Sequence, residues 1–599
     1  MTLTDKHFLN SPLTLVLDSL RGLCALNPNV CLDEANKVVY QANPDRSKVA
    51  IICGGGSGHE PSHAGFVGNG ILNGAICGNV FASPNAGQVR RGIDLVSNSV
   101  GTVIIVKNYT GDVLNFGLAK EQYAALYPDK IDRLKFIIVG DDVSVGRTQG
   151  QIVGRRGLAG TVLVYKIAGA LARQGASLEE VHSVAQWVAS RIGTVGVGLE
   201  HCHIPGTESS SAHLNATEVE IGMGIHNEPG HTRITPIPPL DKLVHELVEL
   251  VVNMKDPERS FLDFKDSGNE VVLLVNNLGG LSELELGAVV GATVQNLNKR
   301  GIKIQKVLGG TFMTSLNMPG FSLTLLLLRH SSEPNAPDTQ RILSLLDEST
   351  DAPGWKWSSL QPPQIALDKP VEAANTANKD LAPEPRKIHA SNTPDFAAAV
   401  EKACKALIAA EPDITRMDSI AGDGDCGLTL KSGAEAVLED LTLGKINGSD
   451  VIGSVLAISK AAEEHMAGTS GALYSIFFSS LVQGLVSASD KTSSATAELW
   501  AAALNTALER LYTYTRARPP SRTLVDPLAA FVKTFSSNLS SQDAFASAVS
   551  AAGKAAEATK DIEAKAGRSA YIDAQQLQID QVPDPGAWGV KVILESLQK

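Results

Sequence analysis

An α/β unit of two subdomains followed by an all-α unit is the architecture this sequence predicts, and three observations predict it. Residues 10–345 alternate short β-rich runs with amphipathic stretches, the pattern of strands and helices taken in turn. Between 347 and 392 that pattern dissolves into Pro, Ala, Asn and Asp (DAPGWKW, LQPPQ, LAPEPRK), the composition of an exposed linker. From 393 to 599 the chain is Ala- and Leu-rich at helical spacing, without a convincing strand.

In the first unit (1–346) the apolar run 49–53 reads as a buried strand, as do 103–106 and 136–139, while 178–192 reads as an amphipathic helix. A second subdomain starts near 191, where 271–275, 302–307 and 321–328 read as strands around the helical 283–298. After the linker, Thr393-Pro394 reads as an N-cap with proline at the first helical position. Helices are expected over 397–410, 455–466, 472–486, 495–513 and 544–566.

Composition narrows the function. A net charge of -12 and the lack of long Lys/Arg runs argue against an electrostatic grip on nucleic acid or anionic membrane, so small-molecule partners are expected. The longest apolar run, 321–328, is far short of the ~20 residues a membrane helix needs. The first 25 residues lack the tripartite pattern of a secretory signal, and seven scattered cysteines form no C-x-x-C pair. Both features predict a cytoplasmic protein with reduced thiols.

The most informative stretch is GGGSGHEPSH (54–63), which leaves the apolar run 49–53 as a glycine turn and puts His59 at a strand's carboxyl end. Open α/β sheets bind ligands at that edge, and glycines there let backbone N–H groups approach a small oxygen-rich molecule. The stretch is neither a dinucleotide fingerprint, because His59 stands where the last glycine would be, nor a P-loop. A tight turn with a satisfied surface histidine would read the same way. KNYTGD (107–112) directly follows the run 103–106, so Lys107 and Asp112 lie at a carboxyl edge too, suited to orienting oxygens and accepting a hydroxyl proton. A surface ion pair is the alternative for each. GMGIHNEPG (222–230) sets His226 in another glycine-rich turn, and composition alone gives that histidine no nucleophilic role.

In the helical unit RMDSIAGDGDCGLTL (416–430) puts Asp418, Asp423 and Asp425 on a short glycine-rich connection. Three carboxylates so close repel one another, and a hard cation such as Mg²⁺ turns the clustering favourable while bridging phosphate oxygens. A solvated acidic turn is the alternative. The loop 468–471 (GTSG) precedes an apolar helix, where free N–H groups and two hydroxyls suit phosphate oxygens or serve as an ordinary N-cap.

Taken together, nine motifs resemble the single-chain, ATP-dependent dihydroxyacetone kinases, in family order on both sides of the linker: GGGSGHEPSHAGFVG, KNYTGD, GLEHCHIPG, GIHNEPG, GDGDCGLTL, GTSGALY, RTLVDPL, AKAGRSAY and DPGAWG. The resemblance implies that His226 Nε2 attacks the ketone carbon of dihydroxyacetone to form a hemiaminal. It places Gly56, Ser57, Gly58 and His59 around the substrate, with Lys107 and Asp112 on its hydroxyls and Asp112 as general base aided by His59. It makes Asp418, Asp423 and Asp425 ligands of two Mg²⁺ ions that hold ATP, and the second unit a nucleotide-binding helical barrel. Gly427, Leu428, Thr429, Leu430, Thr469, Ser470, Ser521 and Arg522 would line the nucleotide, with Asp584, Pro585 and Gly586 closing the site. Glyceraldehyde is the expected second substrate and a homodimer the expected assembly. Cleavage of FAD to cyclic FMN, an activity of animal members, stays open. A binding-only regulatory protein is disfavoured because it would need no metal cluster. Three positions depart from the family pattern: Ala467, Ser521 and Asn227 each stand where glycine is common.

Overall fold

The computed structural model describes residues 6–208, 213–265, 268–330, 333, 336–364, 387–466, 468–489, 493–565 and 581–598. The chain divides into two compact units, Met1–Pro370 and Val371–Lys599.

Two six-stranded sheets form the first unit. Strands β1 (Val30–Asp33), β2 (Val38–Gln41), β3 (Ala50–Ser57), β4 (Gly74–Val80), β5 (Thr102–Lys107) and β6 (Leu134–Val139) make one, ordered β1-β2-β4-β3-β5-β6 with the last four parallel. Strands β7 (Ile192–Gly198), β8 (Val219–Ile221), β9 (Thr232–Ile234), β10 (Glu270–Asn277), β11 (Lys303–Gly310) and β12 (Gly320–Leu327) make the other, ordered β11-β10-β12-β7-β8-β9. Helices α1 (Leu15–Leu26), α2 (Ala86–Leu95), α3 (Thr110–Leu126), α4 (Arg147–Val153), α5 (Thr161–Arg173), α6 (Leu178–Ser190), α7 (Leu240–Val252), α8 (Glu283–Lys299) and α9 (Thr339–Asp347) connect and cover them.

Continuous apolar runs such as VVLLV in β10 and FSLTLLL in β12 form strands buried on both faces, as sheets covered on each side require. Helix α5 is buried around its whole circumference from Thr161 to Ala172. It joins the two sheets, since Ile51 and Val103 of the first and Leu274 and Leu326 of the second share its core. In the first sheet the chain crosses from β3 to β4 on one side and then to β5 on the other. That reversal leaves a crevice at the carboxyl ends of β3 and β5, where such sheets take their ligands.

Glycines 54 to 56 are part of β3 and not a turn after it. A Cβ on Gly54 would stand 2.2 Å from the Ile76 carbonyl oxygen, so glycine there permits close packing against β4. The stretch read as a linker is also shorter than its composition implied. Residues 347–364 lie on the first unit: Gly354 N–H donates to the Gly65 carbonyl at 2.8 Å, and the buried Lys166 ammonium donates to the carbonyls of Leu345 and Glu348. Buried Ile388 joins the core of the second unit.

The second unit contains α10 (Thr393–Ala421), α11 (Cys426–Thr442), α12 (Val451–His465), α13 (Gly468–Ala488), α14 (Ala497–Tyr514), α15 (Val525–Ser537), α16 (Ala544–Ala558) and α17 (Pro585–Ser596). Each packs on the next and α17 returns to α10. They surround a cavity of about 480 Å³ lined by apolar side chains that include Leu430, Phe477, Leu481, Phe531 and Val590. Helix α13 is long and apolar enough to cross a membrane, yet it packs between α12 and α14 with Tyr474, Phe477, Leu481 and Leu485 buried.

Several expectations shift here. The N-cap of α10 is Asn392, whose side chain accepts from Asp395 N–H, and the helix runs on through Pro412 instead of stopping near 410. A two-residue strand pair, β13 (His389–Ala390) with β14 (Ser494–Ala495), interrupts the helices. The expected helix 544–566 ends at Ala558 and gives way to a 3₁₀ turn (Thr559–Asp561), while most of AKAGRSAY and Ala467 lie outside the described residues.

Candidate active site

Two polar sites emerge, one in each unit. In the first, β3 and β5 end side by side, and the loop 222–230 from the second sheet brings His226 to them. His226 Nε2 is 3.0 Å from His59 Nε2, joining residues 167 apart in sequence. The His226 ring stands edge-on to His59, Phe81 and Tyr109 with centroids 4.8 to 4.9 Å away, so three rings fix its plane.

Protons follow from the partners. His59 Nδ1 lies 2.8 Å from the Thr314 carbonyl, which only accepts, so Nδ1 carries a hydrogen. Burial, with Lys107 and His226 nearby, holds His59 well below the usual histidine range, so its Nε2 is a bare acceptor. His226 Nδ1 lies 2.8 Å from Glu228 Oε1 and donates to it. Two bare Nε2 atoms 3.0 Å apart would repel, so one proton sits between them and Glu228 balances its charge. Burial works against a charged Glu228, but the His226 hydrogen bond and charge, then Arg156, hold its carboxyl below the usual range.

Lys107 and Asp112 join this group. Both are buried, Lys107 at the end of β5 and Asp112 in the first turn of α3, where the helix N-terminus favours its carboxylate. Burial raises the Asp112 pKa while Lys107 and a Ser83 hydrogen bond oppose the rise, and burial lowers that of Lys107. Gly56, Ser57 and Gly58 are buried beside them, with Ser57 Oγ donating to the Gly78 carbonyl at 2.9 Å. A Cβ on Gly56 would stand 2.8 Å from Ala82 N, so glycine there lets the end of β3 pack closely on the 81–82 backbone.

Asn227 adopts φ +63, a left-handed conformation that Asn tolerates better than most residues. Its amide accepts from Cys202 N–H at 3.0 Å and donates to the Cys202 carbonyl at 2.9 Å, locking the His226 turn to the GLEHCHIPG segment. The glycine departure therefore leaves the turn intact.

In the second unit Asp418, Asp423 and Asp425 offer carboxylate oxygens that all lie within 4.8 Å of one another. Only Asp423 belongs wholly to the connection: Asp418 is buried in the last turn of α10, and Asp425 is the N-cap of α11. Asp418 Oδ2 accepts from Cys426 N–H at 2.9 Å, which aims that carboxylate. An all-oxygen, acidic donor set on the surface fits Mg²⁺ better than zinc or copper, which favour nitrogen and sulfur.

Around this cluster the nucleotide candidates divide. Residues 468–471 form the first turn of α13 and not a loop before it, where N–H groups have no partner within the helix, with Thr469 exposed and Ser470 bonded to Cys426. Leu428 is exposed and Thr429 half-buried at the start of α11, but Leu430 faces the apolar cavity and Gly427 packs on α10. A Cβ on Gly427 would stand 2.2 Å from Thr415 Oγ1. Buried Asp584 caps α17 by accepting from Ala587 N–H at 2.8 Å, with Pro585 and Gly586 in its first turn. Burial first, and then Asp526 and Asp418, push Asp584 up to about 6 against the Ala587 bond and the Arg522 charge. Arg522 is buried at φ +60 and donates to the Val582 carbonyl at 2.7 Å. Ser521 is held by Asp526, to which it donates through N–H at 2.9 Å and Oγ at 3.0 Å.

Sequence reasoning missed Glu228, Arg156, Tyr109 and Asp526. Glu228 had a usable signal, since a carboxylate two residues from a histidine in a tight turn can reach its ring.

Comparison with known proteins gives this arrangement its class. Residues 21–354 match the Dak1 domain and residues 420–599 the DAK2 domain. The chain belongs to the dihydroxyacetone kinase family. It is 40% identical to the Pichia angusta dihydroxyacetone kinase, covering 99% of this chain and 98% of that one. It is also 40% identical to the Homo sapiens triokinase/FMN cyclase, with 99% of each covered. The crystal structure of the C. freundii dihydroxyacetone kinase in complex with AMP-PNP and Mg²⁺ is similar at TM-score 0.64 and 30% identity, over 99% of each chain.

Proposed function

We propose that this chain transfers the γ-phosphate of ATP to dihydroxyacetone, and to D-glyceraldehyde, with the ketone held as a hemiaminal on His226. The observation that carries the covalent step is the chain Thr314–His59–His226–Glu228, in which every ring nitrogen has a partner. The proton shared between the two Nε2 atoms passes to His59, leaving the His226 Nε2 lone pair free. As that nitrogen bonds to the ketone carbon, the carbonyl π pair moves to oxygen, which takes the proton back from His59. The positive charge left on the alkylated imidazole is balanced by Glu228. Glycerol, which has no carbonyl, cannot be held in this way.

In the second step Asp112 accepts the proton of a terminal hydroxyl while that oxygen bonds to the γ-phosphorus and the bond to ADP breaks. Lys107 and the segment Gly56 to Gly58 orient the substrate oxygens. Asp418, Asp423 and Asp425 would hold two Mg²⁺ ions, which neutralise charge on the ATP phosphates. The ring of helices supports reading this unit as a barrel, with Thr469, Ser470, Ser521, Arg522 and Asp584 on its nucleotide rim. The two sites lie in separate units, so transfer needs them brought together, within one chain or across a homodimer. Seven free cysteines support a cytoplasmic location.

Nuclear magnetic resonance of the protein with dihydroxyacetone labelled at its carbonyl carbon tests the adduct. A bound signal in the tetrahedral range, lost in His226→Ala, is expected. A bound ketone signal would overturn the hemiaminal.

A further inference from the structure

The mechanism leaves one buried imidazole in the substrate crevice unused. His63 follows β3 and is 3% exposed. Its Nδ1 lies 3.2 Å from the Sγ of fully buried Cys53, and its Nε2 has no hydrogen-bond partner. Asp112 Oδ1 is likewise buried and unpartnered. The two side chains meet over Gly55, where a Cβ would stand 3.3 Å from His63 Nε2 and 3.2 Å from Asp112 Oδ2. Buried polar atoms are rarely left unsatisfied, so the bare His63 Nε2, beside a carboxylate whose other oxygen is also bare, marks where a polar ligand atom belongs.

We propose that His63 is a further substrate-contacting residue: its Nε2–H donates to the reacting hydroxyl of the substrate while Asp112 accepts that hydroxyl's proton. The inference rests on the general-base reading of Asp112. Burial, and secondarily Lys107, keep His63 neutral, so it carries a single ring hydrogen. Burial pushes the Cys53 thiol up to about 12, so it stays an S–H group able to donate to Nδ1. The hydrogen then resides on Nε2, facing the Asp112 carboxylate, which is the electrostatically favoured tautomer. A hydroxyl has one hydrogen and two lone pairs. With the hydrogen aimed at Asp112 and one lone pair held by His63, the remaining lone pair has a fixed direction toward the phosphorus. His63 thus orients the nucleophile, while His226 holds the carbonyl carbon.

Steady-state kinetics with Mg-ATP and dihydroxyacetone, with adduct formation followed by nuclear magnetic resonance, test the role on His63→Leu and His63→Gln. Leucine removes the donor, and the glutamine amide restores an N–H near the Nε2 position. His63→Leu is expected to lower kcat on the order of 10- to 100-fold, with adduct formation on His226 retained, and glutamine to recover much of the loss. Wild-type kcat in His63→Leu would overturn the proposal, as would equal loss of kcat and adduct in both variants, the mark of a purely structural histidine. Should His63→Leu fail to fold, Cys53→Ala serves. It frees Nδ1 to take the ring hydrogen, so kcat is expected to fall several-fold at unchanged KM, and an unchanged kcat would count against the proposal. Asp112→Asn measured alongside separates the two readings: normal turnover there would remove the general base, whereas normal turnover in the His63 variants alone removes only His63.

Discussion

The ketone crevice and the acidic rim of the helical unit meet opposite demands with opposite designs. In the crevice His59, Lys107 and Asp112 are buried, His226 is caged by three rings, and both nitrogens of each catalytic imidazole are engaged. On the rim Asp423 and Asp425 are exposed, and buried Asp418 is fixed by a backbone donor. In the proposed mechanism covalent capture of a small ketone offers few contacts, so the nucleophile must be oriented beforehand and water kept out. A metal–nucleotide complex brings its own charge and must leave as product, so an open carboxylate cluster suits it. The difference teaches that one site is built for commitment and the other for exchange.

Variants that damage one site and spare the other sharpen this contrast. The largest effect is expected for His226→Ala, which should lower kcat/KM for dihydroxyacetone on the order of 10³-fold or more while Mg-ATP binding stays normal by calorimetry. Asp112→Asn should lower kcat by about 10²- to 10⁴-fold with the adduct retained. The same residue governs the acid limb of the rate profile. The base must be ionised, and burial raises its pKa, so activity should rise with pH through a limb displaced above the ordinary carboxylate range. A limb at the usual carboxylate position would contradict the buried base.

Next come Asp423→Ala and Asp425→Ala, each expected to weaken Mg-ATP binding roughly 10- to 100-fold without altering the ketone adduct. Normal nucleotide affinity in both would make the cluster merely structural. Glu228→Gln keeps a hydrogen-bond acceptor but removes the counter-charge, and kcat/KM should fall about tenfold. The smallest change is structural: Gly427→Ala pushes a methyl group against Thr415 and the Glu411 carbonyl, so thermal or denaturant unfolding should show a loss of about 1–3 kcal/mol.

Much of this was legible in the sequence because the physics behind it is local. Runs such as 103–106 and 321–328 are apolar enough that only a buried strand accommodates them, and they became β5 and β12. The residues of the ketone crevice lay in glycine-rich stretches at strand ends, where short-range pattern and ligand chemistry coincide. What stayed hidden depends on packing. Helix α11 was invisible because GDGDCGLTL reads as a loop until Gly427 is seen seated against α10. The helix expected over 397–410 showed no sign of continuing, whereas α10 runs on through Pro412 with Ile414 and Met417 buried. The roles of Glu228 and His63 rest on which atom each ring nitrogen faces, and no sequence spacing encodes that.

The measurement closest to the central claim is a coupled assay of the purified protein with Mg-ATP, following ADP formation with dihydroxyacetone and, separately, with glycerol. ADP release with the ketone and none with glycerol is the expected result, because only a carbonyl can be captured by His226. Equal turnover of both would contradict covalent capture, and silence with both would contradict the kinase itself.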